Sequence, residues 1–269
     1  MQLSLIHPRL FHSLALIEPV IQSSPPTGPN AALPSSLRPD TWPSRSAAEE
    51  FFRNGKAHRN WDPRVLDQYL KYGLRDLPNS FAGKSNGPVT LTTTKHQEAW
   101  TYTRSNFVST SDRHQARLLA PDLSVENAEC LFHRPEMVQT LYNLPNVRPN
   151  VLWLFGARSY INSSQASRAE KVACTGTGIG GSGGAEAGHV ENTVIRNGGH
   201  MLPFEHVQEC ASTLAPWLAK QVQDFNILEQ FHQGHDSERS QQGMKILSKH
   251  WLENVMLKSD AKRSEKSRL

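Results

Sequence analysis

Apolar residues in this chain follow two kinds of spacing: unbroken runs of strand length, and stripes that recur every three or four residues. The runs are Leu14-Ala15-Leu16-Ile17 and Val151-Leu152-Trp153-Leu154-Phe155, the kind that a parallel sheet buries on both faces. Val190 to Arg196 alternates instead, with Val190, Asn192 and Val194 on one side and Thr193 and Ile195 on the other, which predicts a mostly buried strand. Val89 to Thr94 is β-branched and strand-like.

Helical spacing accounts for much of the rest. Met1 to Phe11 reads as the end of a helix closed by Pro8. Ala47 to Lys56 carries Phe51 and Phe52, and Pro63 to Tyr72 carries Val65, Leu66, Tyr69 and Leu70. Asp62 is placed to cap the second of these, and Pro63 suits a first helical position because its missing N–H would have no partner there. His96 to Phe107 carries aromatics that could line a pocket, although Trp100 and Tyr102 are expected rather to pack inside the lid; Glu126 to Tyr142 predicts one or two helices bearing Cys130, Leu131, Phe132 and Met137. Gln165 to Cys174 is helical in pattern. Val207, Ala211, Leu214, Leu218, Val222 and Phe225 mark one face of a long helix packing on the sheet. Gln233 to Gln242 is a polar break, after which Met244, Leu247, Trp251 and Val255 predict a shorter amphipathic helix docked on the domain. Ser23 to Ser46, rich in Pro, Ser and Gly without a period, and Thr175 to Gly188 are expected as loops, the second flexible.

Composition narrows the class. A chain of 269 residues makes one domain with room for a lid, and a mean hydropathy of −0.53 fits a soluble protein. No apolar run approaches a membrane span, and the N-terminus lacks the apolar core of a secretory signal, so an intracellular protein is expected. Cys130, Cys174 and Cys210 are odd in number and far apart, which argues for reduced thiols and against a disulfide framework or a zinc site. The net charge of +4 lies largely in the tail and does not predict nucleic-acid binding. Gly176-Thr177-Gly178-Ile179-Gly180-Gly181 matches the dinucleotide fingerprint literally, but it lacks the strand before and helix after that would cradle a pyrophosphate, so no cofactor is expected. Asn162-Ser163-Ser164 matches a glycosylation acceptor, a reading that has no support without a secretory signal.

The candidate chemistry centres on Asn197-Gly198-Gly199-His200-Met201-Leu202-Pro203-Phe204-Glu205, between the alternating strand and the long helix. Gly198 and Gly199 are expected to supply backbone angles closed to other residues and so present His200 at a sheet edge. An imidazole there is suited to general base chemistry near neutral pH; the alternative is a hydrogen-bonded structural histidine.

Gly-Gly-His-Met-Leu-Pro-Phe-Glu followed by an amphipathic helix resembles the catalytic-histidine segment of α/β-hydrolases, and Arg148 to Gly156 resembles the preceding strand of that fold. Along most of its length, including Trp61-Asp62-Pro63-Arg64-Val65 and Gly73-Leu74-Arg75-Asp76-Leu77-Pro78, the chain resembles fungal α/β-hydrolases of toxin and other secondary-metabolite clusters. The resemblance implies an α/β fold: the C-terminal portion of an α/β-hydrolase, a parallel sheet with flanking helices, and a largely helical cap insertion. Residues 1–22 and 147–232 would form the core, 23–146 the linker and cap, and 233–269 a C-terminal helix and basic tail.

By the same resemblance Leu14 to Glu18 is the strand after the nucleophile's helix, where haloalkane dehalogenases and some other members carry the triad acid. Glu18 is thereby the candidate acid that orients His200, against the alternative of a solvated loop carboxylate. Many members place the acid three residues after the glycine that closes the following strand; here that position is Ser159. No stretch of the pattern reads as a nucleophile elbow, which is G-x-S-x-G on a turn between a strand and a helix. Gly180-Gly181-Ser182-Gly183-Gly184 sets a serine among glycines without a preceding strand, so Ser182 is not the expected nucleophile, which by resemblance would precede Met1.

The expected activity is hydrolysis of a small-molecule acyl or ester substrate (an ester, thioester or lactone), and the rival is a truncated, catalytically silent remnant that acts as a binding or assembly partner. Ser267-Arg268-Leu269, after a basic lead-in, has the small, basic, apolar order of a peroxisomal address read by the import receptor, which predicts a peroxisomal location.

Overall fold

The computed structural model describes residues 1–23, 32–77, 87–103, 114, 118, 136–237, 240, 243–249, 251 and 255, in two compact units, Met1–Trp217 and Leu218–Leu269. The first unit contains two three-stranded sheets. In chain order its elements open with helix α1 (Gln2–Ile6), strand β1 (Ser13–Ile17), α2 (Ala32–Leu37), β2 (Thr41–Trp42), α3 (Arg45–Asn54) and α4 (Pro63–Tyr72). They continue with β3 (Leu74–Asp76), β4 (Val89–Leu91), α5 (Lys95–Tyr102), α6 (Glu136–Asn143) and a 3-10 turn, Leu144–Asn146. After these come β5 (Asn150–Gly156), α7 (Gln165–Cys174), β6 (Val190–Ile195), the short α8 (Leu202–Glu205) and α9 (Val207–Ser237), which belongs to the second unit from Leu218 onward.

The main sheet is parallel, in the order β1-β5-β6, with Leu16 opposite Trp153 and Trp153 opposite Asn192. β5 is the strand with neighbours on both sides, and Val151 to Phe155 are 0–3% exposed. Its alternation divides two cores: Val151, Trp153 and Phe155 pack with Ile21, Leu144, Val147 and Val172, while Leu154 packs with Ile195, Leu202 and Cys210. Trp153 and Phe155, two residues apart and so on one face, stack with ring centroids 5.4 Å apart. Each such buried side chain contributes about 1.5–3 kcal/mol.

Among the described residues β1 and β6 are edge strands, which corrects the expected burial. β1 is half-buried rather than covered on both faces, and in β6 only Val190 and Ile195 are buried while Val194 is 41% exposed. An apolar run becomes fully buried only where the sheet continues on both sides.

The described part of the insertion is largely helical, as expected, and also holds a small sheet. Its antiparallel sheet, β2-β4-β3, pairs Trp42 with Val89 and Leu74 with Leu91, and these residues share a core with Ala48, Phe52, Leu66 and Leu70. Ser23 to Ser46 is therefore not simply a loop: it contains α2 and β2, and Ser44 caps α3 by accepting from Ala47 N–H at 3.2 Å. Asp62 caps α4 as its position predicts, at 2.9 Å from Arg64 N–H. The strand expected over Val89 to Thr94 stops at Leu91, and Thr94 instead forms a capping box with Gln97 at the start of α5. Trp100 and Tyr102 are 51% and 46% exposed, and Tyr102 lines a cavity with Phe51, Phe52 and Tyr69. Cys130, Leu131 and Phe132 lie outside the described residues.

Thr175 to Gly188 is tied down rather than flexible. Gly176, Gly178 and Ser182 donate to the carbonyls of Leu144, Pro145 and Val147 at 2.9, 2.8 and 3.0 Å, and five of its glycines take positive φ. Ser182 accepts from Gly184 N–H within this loop, which leads into the start of β6, so it lies at the opposite end of that strand from His200. Downstream, α9 continues to Ser237 through the expected break at Gln233. Leu214 of its first half packs against the Leu154 core and Trp217 is buried, but Leu218, Val222 and Phe225 are 44%, 58% and 42% exposed. In the second unit, Gly243–Lys245 is a 3-10 turn, and of the helix expected around Met244 to Val255 residues 250 and 252–254 lie outside the described residues.

Candidate active site

Parallel strands end together, so the loops after β1, β5 and β6 gather at one edge of the sheet, where ligands bind in open α/β folds. Glu18 follows β1, the segment from Gly156 to Asn162 follows β5, and His200 follows β6. At Glu18 the chain takes φ +47°, the one positive value for a non-glycine among the described residues, while Glu18 N–H still donates to Leu154 C=O at 2.9 Å. A left-handed glutamate costs about 1–2 kcal/mol, so the surrounding contacts must hold it.

They do so through four hydrogen bonds to the carboxylate. Gly156 N–H donates to Oε1 at 2.5 Å, Asn162 Nδ2 donates to Oε2 at 3.1 Å, His200 Nδ1 faces the same Oε2 at 3.3 Å, and Ser159 contributes its hydroxyl. Glu18 is 4% exposed, which removes the alternative of a solvated loop carboxylate. Burial alone would raise its pKa; the hydrogen bonds from His200, Ser159, Gly156 and Asn162 outweigh it and leave the carboxyl below its ordinary value.

The histidine loop is pinned to the end of β5. Arg158 N–H donates to Gly198 C=O and Ala157 N–H to Ile195 C=O, both at 2.9 Å. A Cβ on Gly156 would stand 2.4 Å and 2.5 Å from the carbonyl oxygens of Gly198 and Gly199, so the approach requires glycine. Gly198 and Gly199 do not take positive φ, contrary to expectation. Their role is also clearance: a Cβ on Gly198 would meet Leu202 Cδ1 at 2.2 Å, and one on Gly199 would meet Glu205 Oε2 at 2.7 Å. Glu205 accepts the Gly199 N–H at 2.8 Å, closing the turn that carries His200.

The His200 side chain is 21% exposed against 2% for Glu18. Because a carboxylate only accepts, Nδ1 carries the proton and Nε2 keeps a lone pair for another group. Among the described residues Glu18 is the hydrogen-bond partner of His200, and Tyr160 packs edge-on at 5.3 Å between ring centroids. A contact of 3.3 Å is looser than the 2.7–2.9 Å usual for charge-assisted bonds, as free catalytic pairs often are.

The insertion reaches this loop. Trp61 stacks on Phe204 at 4.7 Å, and Asp62 N–H donates to Phe204 C=O at 2.8 Å. A cavity of about 530 Å³ follows, lined by Arg38, Phe51, Phe52, Trp61, Tyr69 and, next to His200, Met201.

Sequence reasoning named Glu18 and His200, and the fold brings them together; Ser267, Arg268 and Leu269 lie outside the described residues. It did not find Asn162 as a ligand of Glu18, nor Lys171, 2% exposed, whose Nζ donates to Asn162 Oδ1 at 2.8 Å. The available signal was a lysine at a position where a helix faces the sheet. Ser159, at the position where many members carry the acid, instead contributes its hydroxyl to Glu18.

No family model matches the chain. The type I acyl-CoA thioesterase mpaH of Penicillium roqueforti is 33% identical over 274 residues, covering 93% of this chain and 61% of that protein. Its namesake in Penicillium brevicompactum is 34% identical over 253 residues, covering 84% and 57%. The abhydrolase domain-containing protein AFT2-1 of Alternaria alternata is 27% identical over 225 residues, covering 81% and 78%. The chain thus spans 57–61% of the length of these thioesterases. Among solved structures, the peroxisomal alpha-beta-hydrolase Lpx1 of Saccharomyces cerevisiae superposes with a TM-score of 0.49 at 18% identity, covering 91% of this chain and 59% of that one. Fungal abhydrolase and thioesterase relatives are thus matched along most of the sequence, and with a parallel β1-β5-β6 sheet carrying Glu18 and His200 at its carboxyl edge the chain resembles the α/β-hydrolase superfamily.

Proposed function

We propose that His200 and Glu18 form the base and orienting acid of an acyl-transfer site that hydrolyses an ester, thioester or lactone. The observation that carries this is one contact: His200 Nδ1 against Glu18 Oε2, brought together across 182 residues of sequence with the carboxylate buried and held charged. His200 Nε2 takes the proton of an attacking hydroxyl and returns it to the leaving group; water then repeats the cycle on the acyl intermediate, and Glu18 stabilises the imidazolium formed in each half. A coenzyme A thioester is the favoured substrate because relatives at 33% and 34% identity are acyl-CoA thioesterases. The attacking hydroxyl is not assigned to Ser182, whose loop leads into β6 at the opposite end of that strand from His200. Residues 23–146 serve as the cap over the site, with Met201 joining its cavity to the histidine loop.

We place the reaction in the peroxisome, as a step of fungal secondary-metabolite biosynthesis of the toxin type, on the strength of the Ser267-Arg268-Leu269 terminus and the family resemblance. Thiol release from acyl-CoA by the protein and by His200→Ala tests the chemistry. Transcript mapping upstream of Met1 goes with it, and an in-frame G-x-S-x-G found there would define the longer chain to assay. In a chain bearing the nucleophile, His200→Ala is expected to lower kcat on the order of 10⁶-fold. Equal rates would remove the assignment, and a stop codon immediately before Met1 with no measurable hydrolysis would favour a silent binding partner.

A further inference from the structure

We propose that Lys171, acting through Asn162, is a positioning residue that clamps the Glu18 carboxylate against His200. The inference rests on the reading of Glu18 and His200 as acid and base, and it starts from a charge with no other evident purpose. Lys171 lies on α7 with 2% exposure, and an isolated ammonium in such a place is costly unless it is paired. Its Nζ reaches an amide rather than a carboxylate: it donates to Asn162 Oδ1 at 2.8 Å.

That amide then has a single permitted orientation. Lysine only donates and a carboxylate only accepts, so Oδ1 must face Nζ and Nδ2 must face Glu18; the flipped amide would set NH₂ against NH₃⁺ and oxygen against oxygen. Nδ2 accordingly donates to Glu18 Oε2 at 3.1 Å and to Pro19 C=O at 3.3 Å. The backbone of Asn162 is held as well, its N–H by Ser159 Oγ at 3.1 Å and its C=O by Arg168 Nη1 at 2.5 Å. Thr175 Oγ1 donates to Lys171 C=O at 2.5 Å and steadies the helix end that supplies the ammonium. With Oε1 on the Gly156 N–H, the shared Oε2 cannot rotate away from His200 without breaking a bond at each end. The chain Lys171–Asn162–Glu18–His200 thus carries a fixed positive charge, one amide removed, behind the carboxylate. Burial lowers the lysine pKa, and Glu18 acts against that shift, as expected of two charges that sense each other. Other titratable groups around the pair are Tyr160, Arg168 and Glu170.

The test is ¹³C NMR titration of the Glu18 carboxyl in the wild-type chain, Lys171→Met and Asn162→Ala, each checked for folding by circular dichroism. Methionine fills the space of the lysine stem without its charge, and Lys171→Gln replaces it if methionine is not tolerated. The Glu18 midpoint is expected to rise by about one pH unit in both the lysine and the asparagine variants, and the His200 Nδ1 proton signal to broaden as the ring is released. A midpoint unmoved in the lysine variant overturns the proposal even if Asn162→Ala moves it, because the amide would then act alone. In the wild-type chain, the Glu18 signal should show a second inflection where Lys171 Nζ titrates, and its absence would also count against the clamp. Hydrolysis is not read in these measurements: a shifted midpoint beside equal hydrolysis rates for the wild type and His200→Ala would leave the clamp standing and remove the catalytic reading, and the converse would do the opposite.

Discussion

Replacing Glu18 by glutamine keeps the shape of the side chain and changes what its atoms can do. The carboxylate receives Gly156 N–H on one oxygen and Asn162 Nδ2 and His200 Nδ1 on the other, with Ser159 beside them. An amide placed there must turn its NH₂ toward one of these donors, so at least one buried donor faces another. Each polar group left unsatisfied costs about 1–3 kcal/mol, and with the side chain only 2% exposed solvent offers little relief. Lys171 would in addition lose the nearby negative charge that offsets its burial. We expect Glu18→Gln to be destabilised by about 2–4 kcal/mol at pH 7. The pH dependence has a definite sign. Glu18 titrates below its ordinary value of 4.5 in the folded chain, so its contribution is fully present above pH 4.5 and disappears as pH falls through the folded value. Urea unfolding followed by tryptophan fluorescence, at neutral pH and in steps down to the acid limit of folding, should therefore show the wild-type advantage shrinking below pH 4.5. A variant as stable as the wild type at pH 7, or a gap that stays constant into acid, would refute the reasoning.

In a chain that carries the nucleophile, the same Glu18→Gln change should lower kcat on the order of 10⁴-fold through the wrong imidazole tautomer; a loss under tenfold would show that Glu18 does not orient His200. Gly156→Ala places a methyl group 2.4 Å from Gly198 C=O and should cost about 1–3 kcal/mol by calorimetry while shifting the His200 imidazole resonances; an unchanged melting temperature would contradict the close approach. Trp153→Ala, at a fully buried position of the central strand, should cost about 3–5 kcal/mol in urea unfolding, and a loss below 1 kcal/mol would mean that β5 is not the core strand. A fluorescent protein fused ahead of Met1 should co-localise with a peroxisomal marker in a fungal host and become cytosolic when Ser267 to Leu269 are deleted; identical distributions would end the targeting proposal.

Residue pattern sufficed where local chemistry or strong periodicity governs. Asp62-Pro63 opened a helix as its capping chemistry requires, and the five-residue run from Val151 to Phe155 became the buried central strand. Pattern was insufficient where pairing is long-range. Thr41-Trp42 is too short to show any period and becomes a strand only because Thr90 and Val89 lie opposite, and Val194 is exposed because no strand described here adjoins β6 on its outer side. Thr175 to Gly188 reads as flexible from composition, yet its amides find carbonyls in a turn some thirty residues earlier.

At the site, the sequence by itself determined which groups were available: an imidazole after a double glycine and a carboxylate closing an apolar run. Only the tertiary structure decided that the carboxylate is buried, that Ser159 and Asn162 supply it with hydrogen bonds in place of a second acid, and that a lysine from α7 stands behind them. The physical reason is that side-chain identity is local information, whereas solvation and hydrogen-bond partnership depend on which strand ends the sheet brings to the same edge.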